Sequence, residues 1–313
     1  MIKNILKIDP KVLGINRRNR NYIMFYNPRG RYPLVDNKLK TKELLSGNDI
    51  PTPKLFFSVK NYYDMRHFDE IDSLDSFVIK PANGSQGRGI IVISGRDGEN
   101  WRMITGGTVS TADLKYHVSN ILSGLFSMGS DTDDAFFEAF VDSHEVFDKV
   151  SSRGVPDIRI ILYRGIPIMS MLRLPTFESG GKANLHQGGV GAGVCLSKGR
   201  TFGGVHHDKF ITKHPDTGIP IEGITIPFWE DILRISIRAY SIFRMGYFGI
   251  DFAIDQKTGP TIFELNARPG LSVQIANRKG LRPRLDGVDR ILKVSENLTE
   301  DEKMEAILSL ECE

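Results

Sequence analysis

Two stretches of the chain, 77–93 and 249–270, combine apolar β-rich runs with side chains that suit phosphate and metal ions. In the first, Lys80 ends an apolar run and precedes a glycine-rich turn at 84–89. The second carries three oxygen-bearing side chains on what read as two adjacent strands: Asp251, Glu264 and Asn266. Lysine and backbone amides suit phosphate oxygens, and hard oxygen ligands suit Mg²⁺. Together the two stretches predict an enzyme that uses ATP.

Composition narrows the partners that this chain is expected to have. Its 41 basic and 38 acidic residues give a net charge of +3, and this near balance argues against a dedicated nucleic-acid partner. Two cysteines, Cys195 and Cys312, provide neither a disulfide framework nor zinc-ligand spacing. No apolar run is long enough to span a membrane, and the N-terminus lacks a signal-peptide pattern, so a cytoplasmic location is expected.

Hydrophobic periodicity predicts a mixture of strands and helices without regular βαβ alternation, which favours an α+β fold with antiparallel sheets. A glycine-rich stretch at 180–193 is expected to be a mobile loop. The predicted helices cover residues 34–45, 111–125, 228–244 and 295–310. The main predicted strands cover residues 77–80, 89–93, 135–141, 157–163, 167–174, 248–254 and 261–266.

Residues 12–31 are unusually rich in arginine and asparagine, and two interpretations of this segment stay open. Most charge runs form a solvated face of the protein. The alternative is an anion-binding arm near the active site. An RNA-binding role would show itself as a steep salt dependence of binding.

Lys80 and the turn that follows it are weaker evidence than the three oxygen ligands. A lysine that ends a buried strand needs an anion, because desolvating an unpaired ammonium is costly. The turn fits phosphate binding but also a plain hairpin, and it is neither a Walker A sequence nor a Rossmann fingerprint. Glu264 and Asn266 are two residues apart on a strand, so they face the same side of it, as two ligands of one metal site must. The alternative interpretation is an exposed polar face of that strand.

In the order and spacing of its short motifs, the chain resembles the ATP-grasp ligases, and more narrowly the RimK-type α-L-glutamate ligases and related ligase-like proteins. The resemblance runs from about residue 34 to residue 271. The matching stretches are residues 36–45, 79–81, 137–140, 156–159, 184–189 and 264–270.

The resemblance implies an ATP-grasp fold, in which two α+β subdomains grip ATP between antiparallel sheets. It implies a short N-terminal segment at 1–35, an ATP-grasp N-terminal subdomain at 36–140 and a C-terminal subdomain at 141–313. The region before Lys38 is expected to be too short for the full α/β domain that usually precedes this plan. Part of the acceptor site is then expected to be missing, or to be built from the arginine-rich arm or from a partner.

The resemblance also implies a nucleotide site. Lys38 and Lys80 would hold phosphates, with Lys42 as a rival for Lys38. Glu138 would bind the adenine amino group, and either Asp157 or Glu145 would reach the ribose. The turn residues expected to close over the triphosphate are Gly84, Ser85, Gln86, Gly87, Arg88 and Gly89. The backbone contacts expected for the adenine ring come from Ala139 and Phe140.

The remaining implied roles concern metal and substrate. Asp251, Glu264 and Asn266 would carry two Mg²⁺ ions, with Mn²⁺ as an alternative. The residues expected to face a carboxylate substrate and its acyl phosphate are Arg159, Arg173, Asn184, His186 and Arg268. A salt-bridge role for the first two and a structural role for His186 stay open. His206 and His207 read as an ordinary surface pair, because the sequence places no third ligand near them.

The implied activity is an ATP-dependent, ADP-forming carboxylate–amine ligation through an acyl phosphate. It would add an amino acid such as glutamate to a peptide, protein or small acceptor, and a homo-oligomer stays open. Arg268 stands where the glutamate ligases usually have a small residue, which favours a more anionic substrate. The alternatives are an ATP-binding regulatory protein and a phosphotransferase of the same fold without amine ligation.

Overall fold

The computed structural model describes residues 9–84, 87–127, 132–151 and 154–311, and the chain divides into two compact units. The large unit comprises Met1–Tyr32 and Asp142–Glu313. The small unit comprises Pro33–Val141. Ser85, Gln86 and Cys312 lie outside the described residues.

Strands in the described part of the small unit form one antiparallel sheet with the order β1-β6-β2-β3-β4-β5. The strands are β1 (Leu55–Val59), β2 (Phe77–Pro81), β3 (Ile91–Asp97), β4 (Asn100–Met103), β5 (Thr108–Val109) and β6 (Ala135–Glu138). The helices are Tyr32–Asp36, Lys38–Ser46, the 3₁₀ helix Tyr62–Ser73, and Thr111–Leu122. Phe77 pairs with Ile93, so the hairpin predicted around the glycine turn is confirmed.

The core of the small unit lies between this sheet and the helix Thr111–Leu122. Phe137 stacks on Phe57 with ring centroids 4.2 Å apart, and Trp101 is fully buried beneath the guanidinium of Arg96. Burial of such aromatic side chains is the main favourable term in folding. The strand β6 that carries Glu138 is therefore fixed in the middle of a packed layer.

Two glycines of the turn after β2 are required by space. A Cβ on Gly84 would lie 2.3 Å from Cγ of Pro81. Gly89 has a φ of +73°, and a Cβ there would lie 2.6 Å from the Phe126 ring. Because L side chains avoid both conditions, these glycines fix the path of the turn within the small unit.

The described strands of the large unit form a second antiparallel sheet with the order β11-β10-β9-β8-β7-β12-β13. They are β7 (Asp157–Tyr163), β8 (Ile166–Leu174), β9 (Val190–Cys195), β10 (Arg200–His206), β11 (Lys209–Ile211), β12 (Tyr247–Asp255) and β13 (Gly259–Asn266). The turn predicted between β7 and β8 is confirmed, with left-handed φ angles at Arg164 and Gly165.

The main helices of the large unit are Trp229–Phe243, Ser272–Asn277, Arg282–Val294 and Glu300–Glu311. The first confirms the predicted helix at 228–244, and it buries a stripe that includes Ile232, Leu233 and Ile237. The predicted terminal helix at 295–310 begins later than expected. Thr299 and Glu302 exchange hydrogen bonds in a capping box, which places the start of that helix after Thr299.

The expectation of a mobile loop at 180–193 is wrong for its last part. Val190–Cys195 is β9, which pairs with β8 on one side and β10 on the other. A Cβ on Gly191 would lie 2.7 Å from the Leu185 side chain, and one on Gly193 would lie 2.7 Å from the Ala276 carbonyl. These glycines reflect close packing on a buried strand.

The arginine-rich N-terminal segment belongs to the large unit and packs against the sheet of that unit. It forms the short helices Ile15–Arg17 and Met24–Tyr26, joined by a π-helical segment Arg18–Ile23. Tyr22 contacts the edge of the Tyr163 ring with centroids 5.4 Å apart. Part of this segment is thus core, whereas Arg17 and Arg20 keep the solvated positions that a charge run predicts.

Candidate functional site

In the small unit, two lysines converge on one buried carboxylate. Glu138 on β6 is 2% exposed, and its Oε2 lies 2.7 Å from Nζ of Lys42, which projects from the helix Lys38–Ser46. Its Oε1 is in contact with Nζ of Lys80 on β2. Val78 is opposite Glu138 in the ladder, so Lys80, two residues later, lies on the same face of the sheet.

This cluster has more positive than negative charge. Burial raises the pKa of Glu138, but Lys80 and Lys42 outweigh it and hold that pKa below its usual value. Burial lowers the pKa of Lys42, whose Nζ also donates to Thr52 Oγ1 and to the Pro53 carbonyl. The Lys80 side chain is 13% exposed, so the excess positive charge is accessible to an anion.

Lys38 and Lys42, the two alternatives for a phosphate-binding lysine, have different surroundings. Lys42 is buried and held by Glu138, Thr52 and Pro53. The Lys38 side chain is only partly buried, and its Nζ donates to the Gly84 carbonyl at 2.6 Å, at the base of the glycine turn. Which of the two lysines contacts ATP stays a prediction.

Asp133 holds the base of the same turn, and sequence analysis missed it. Its carboxylate accepts hydrogen bonds from the Asn83 backbone at 3.0 Å, the Asn83 side chain at 2.9 Å and the Ser127 hydroxyl at 2.6 Å. The side chain is buried. Asn83 is 50 residues away from Asp133 in the sequence, so only the fold reveals this role.

The predicted adenine contacts stay predictions. The Glu138 carboxylate is engaged by two lysines, and the Ala139 backbone N–H donates to the Lys54 carbonyl at 2.8 Å. Phe140, the next residue, is half-buried. Arg88 in the turn is exposed, and Gly87 has a left-handed φ of 72°.

In the large unit, one face of the sheet carries a row of charged side chains. Asp251 on β12 is opposite Arg159 on β7 and opposite Glu264 on β13. Asp157, two residues before Arg159, is opposite Arg173 on β8. Residues that are opposite or two apart share a face, so the antiparallel register brings these five groups together.

Four of these side chains, those of Asp157, Arg159, Arg173 and Asp251, form a connected ion-pair network. Arg159 binds Asp251 in a bidentate manner, with Nε–Oδ1 and Nη2–Oδ2 distances of 2.7 and 2.6 Å. Arg173 binds Asp157 through both Nε and Nη2, and its Nη2 also lies 2.7 Å from Asp251 Oδ2. The salt-bridge alternative is therefore what the structure shows for both arginines, and their contact with a substrate carboxylate stays a prediction.

The two aspartates of this network differ in their electrostatics. Burial raises the pKa of Asp251, but Arg159 and Arg173 together outweigh burial and hold the pKa below its usual value. Burial also raises the pKa of Asp157, and here it prevails over Arg173, so this pKa reaches about 7. Asp251 has two guanidinium partners, whereas Asp157 shares one, which explains the difference.

Replacing Asp157 with asparagine should change how stability depends on pH. Because the folded-state pKa of Asp157 is above its ordinary value of 3.8, its contribution is greatest at low pH and is lost as pH rises toward about 7. Relative to D157N, the wild type should lose free energy of unfolding across this range. Urea denaturation at about pH 4.5 and about pH 7.5 measures it, and parallel pH profiles would contradict the shift.

The donor set of this face fits Mg²⁺ by chemistry. Glu264 is half-buried, and Asn266, two residues later, is half-buried too. The Asn266 Oδ1 accepts the Arg268 N–H at 3.0 Å and has a second lone pair. Asp251 Oδ2 already accepts two arginine bonds, whereas Oδ1 accepts one. Glu264 and Asn266 are thus the more accessible ligands, and Asp251 could add one oxygen.

The other predicted residues of the large unit lie outside this network. Glu145 is exposed on a 3₁₀ turn, whereas its rival Asp157 is buried against Arg173. Asn184 caps the 3₁₀ turn Leu185–Gln187, and its Oδ1 accepts the N–H of His186.

His186 lines a cavity of about 210 Å³ with His207, Ser272 and Ile275. Sequence analysis predicted this histidine but not the cavity, which residues distant in sequence enclose.

Arg268 is exposed at the end of β13, where its guanidinium carbon lies 4.5 Å from the Tyr32 ring centroid. Nearby, Arg18 is buried and donates from Nη1 to the Pro269 carbonyl at 2.6 Å. Sequence analysis did not single out Arg18 within the arginine-rich segment. This arginine holds the backbone that follows the predicted metal ligands.

Among the described residues, the helices are too short or too polar for any of them to cross a lipid bilayer.

The model of a protein family described as sugar-transfer associated ATP-grasp matches residues 17–290. The match confirms the predicted α+β ATP-grasp fold, and the two antiparallel sheets agree with it. None of the curated proteins with which the chain was compared matches it.

Several solved structures are similar to the chain. The ATP-grasp ligase PsnB with a minimal precursor is 13% identical with a TM-score of 0.44, over 86% of this chain and 63% of that chain. D-alanine–D-alanine ligase from Bacillus anthracis with ATP is 14% identical with a TM-score of 0.48, over 91% and 68%. The corresponding ligase from Coxiella burnetii is 12% identical with a TM-score of 0.44, over 91% and 63%. The chain thus spans less than two thirds of PsnB.

Proposed function

Because the chain belongs to the sugar-transfer associated ATP-grasp family, we propose that it is an ATP-dependent ligase that joins a carboxylate to an amine. The observation that carries the proposal is the lysine cluster of the small unit, in which Lys42 and Lys80 both contact the carboxylate of Glu138. A buried cluster with excess positive charge and an accessible ammonium suits a polyphosphate.

We assign the phosphates of ATP to Lys80, Lys38 and the backbone of the glycine turn. Lys80 supplies the accessible charge, and Lys38 lies against the Gly84 carbonyl at the base of the turn. Asp133 and Asn83 hold that base through two hydrogen bonds. A turn that closes over the triphosphate would exclude water from the reacting groups.

We assign Mg²⁺ to Glu264 and Asn266, with one oxygen of Asp251. Bound there, Mg²⁺ would neutralise charge that develops on phosphoryl oxygens. Arg159 and Arg173 hold Asp251 in one orientation, because its carboxylate accepts three bonds from them. Two ions, or Mn²⁺ in place of Mg²⁺, stay predictions from the resemblance.

The proposed chemistry has two steps and requires no covalent protein nucleophile. A carboxylate oxygen attacks the γ-phosphorus, and the bond to ADP breaks, which gives an acyl phosphate. An amine then attacks the acyl carbon, phosphate leaves, and the amine loses a proton. His186 borders the cavity of the large unit, where it could accept that proton, and Asn184 fixes the turn that carries it.

The substrates are proposed by class. The family description associates it with sugar transfer, so an amine carried on a sugar is one candidate acceptor. The resemblance to RimK-type ligases favours glutamate or another amino acid as the partner, with a peptide or protein acceptor. Exposed Arg268 favours an anionic substrate.

The test is release of ADP and phosphate from Mg-ATP across a panel of amino acids, peptides and amino sugars, with products weighed by mass spectrometry. We expect a new amide whose amount equals the ADP formed, and no activity in E264Q. Turnover that needs a carboxylate but no amine would identify a phosphotransferase. Tight ATP binding without turnover on any substrate would favour a regulatory protein.

A further inference from the structure

We propose that Glu178, His206 and His207 form a binding site for a divalent transition metal, with Zn²⁺ as the expected ion. The three side chains belong to the large unit and come from two places in the sequence. Glu178 follows β8, and the histidines lie at the turn between β10 and β11. Their ligand atoms all lie within 4.8 Å of one another. This site is separate from the network around Asp251.

The spacing of these atoms suits a tetrahedral ion. Glu178 Oε2 lies 3.4 Å from His206 Nε2 and 2.8 Å from His207 Nε2. Ligands about 2.0–2.1 Å from tetrahedral zinc lie about 3.4 Å apart, so one distance already fits. The distance from Glu178 to His207 must lengthen by roughly 0.6 Å to meet that spacing, which the two exposed side chains allow. The third pair, His206 and His207, has its ligand atoms within 4.8 Å of each other.

Neighbouring residues position the ligand side chains and do not block a metal ion. His206 Nε2 lies 3.1 Å from the Gly188 carbonyl, which also accepts the Thr176 hydroxyl at 2.8 Å. His206 could release that carbonyl for a metal without leaving it unsatisfied, because the threonine bond remains. Gly188 also provides space for Glu178, since a Cβ there would lie 2.7 Å from its Cδ.

The hairpin turn between β10 and β11 fixes the position of His207. His207 and Asp208 have φ angles of 47° and 58°, in the left-handed region that non-glycine residues seldom occupy. His206 pairs with Lys209, so His207 and Asp208 form a two-residue hairpin loop, which commonly requires left-handed φ angles at both positions. The turn places His207 Nε2 2.8 Å from Glu178 Oε2, so both groups belong to the three-residue cluster.

The donor chemistry selects the class of metal. Two imidazole nitrogens and one carboxylate suit Zn²⁺ and its neighbours, whereas Mg²⁺ and Ca²⁺ prefer oxygen ligands. Three protein ligands leave at least one position open in a four-coordinate site. Because His207 also lines the cavity that contains His186, an anionic group in the cavity could take that position.

The test is a calorimetric titration of metal-free full-length protein with Zn²⁺ in excess Mg²⁺. We expect about one Zn²⁺ per chain, and at least about 100-fold weaker binding in H206A, H207A and E178Q, more than loss of an outer partner costs. E178Q keeps the size and shape of the Glu178 side chain. In the absence of metal, each variant should have the same melting temperature as the wild type. Zn²⁺ should raise the melting temperature of the wild type alone.

His67 provides the matched control. It forms an exposed pair with Glu70 at 2.8 Å, the same distance as His207 and Glu178, but it belongs to the small unit. H67A should bind Zn²⁺ like the wild type. The proposal is overturned if the three site variants bind like wild type, if H67A loses affinity equally, or if E264Q abolishes the binding and E178Q does not.

Discussion

Replacing Lys80 with methionine should lower ATP turnover by about 100- to 1,000-fold, the range found when one preorganised electrostatic donor is removed from an active site. The physical reason is the charge of the small-unit cluster. Two ammonium groups share the Glu138 carboxylate, and Lys80 is the more exposed of them. Without Lys80, the cluster is neutral and the proposed phosphate site loses its accessible cation. Steady-state ADP release measures the effect.

The same variant should remain folded, because Lys42 still neutralises Glu138 at 2.7 Å. Lys60 supplies the matched control, since it is an exposed lysine of the small unit whose nearest carboxylate oxygen, on Glu43, is 3.9 Å away. K60M should keep wild-type turnover. Full activity in K80M would exclude the proposed role of Lys80, and equal losses in K60M and K80M would indicate a general charge effect.

Replacing Glu138 with leucine should destabilise the protein by about 3–5 kcal/mol, the cost of removing one partner of a buried ion pair. Glu138 is 2% exposed, and Lys42 beside it is buried as well. The variant leaves the Lys42 ammonium inside the small unit without its carboxylate, and an unpaired buried charge is far costlier than an unpaired surface charge. Chemical denaturation followed by circular dichroism measures the loss.

Two comparisons isolate that cause. E43L removes an exposed carboxylate from a pair 3.9 Å long and should cost less than about 1 kcal/mol. The double variant K42M/E138L replaces both buried groups by apolar ones and should regain most of the stability that E138L loses. If the double variant is as unstable as E138L, lost packing and not an unpaired charge explains the effect.

Much of the fold could be predicted because local patterns determine it. The helix at Trp229–Phe243 follows from apolar residues at helical spacing, and the hairpin of β7 and β8 follows from Arg164-Gly165 between two apolar runs. β9 was missed because its glycines resemble a loop. Packing against Leu185 and Ala276 required those glycines, and such contacts leave no local pattern in the sequence.

The sequence predicted the residue types of the candidate site, but it did not predict the pairs that these residues form. Sequence analysis identified Lys80, Glu138, Arg159, Arg173 and Asp251 and expected each to meet ATP, metal or substrate. The structure pairs these residues with one another. Asp133 and Arg18 were missed, since both act by holding backbone that is distant in the sequence.

Apolar periodicity, which is a local property, determined the α+β class and where the strands carry charged residues, and the resemblance in motif order implied the ATP-grasp fold. Only the tertiary structure decided that Asp251 is held by two arginines, and that Glu178 joins His206 and His207. Strand register and loop path bring such groups together over tens of residues. A charge buried by that convergence needs its partner there, because leaving it unpaired would cost a large fraction of the stability of the fold.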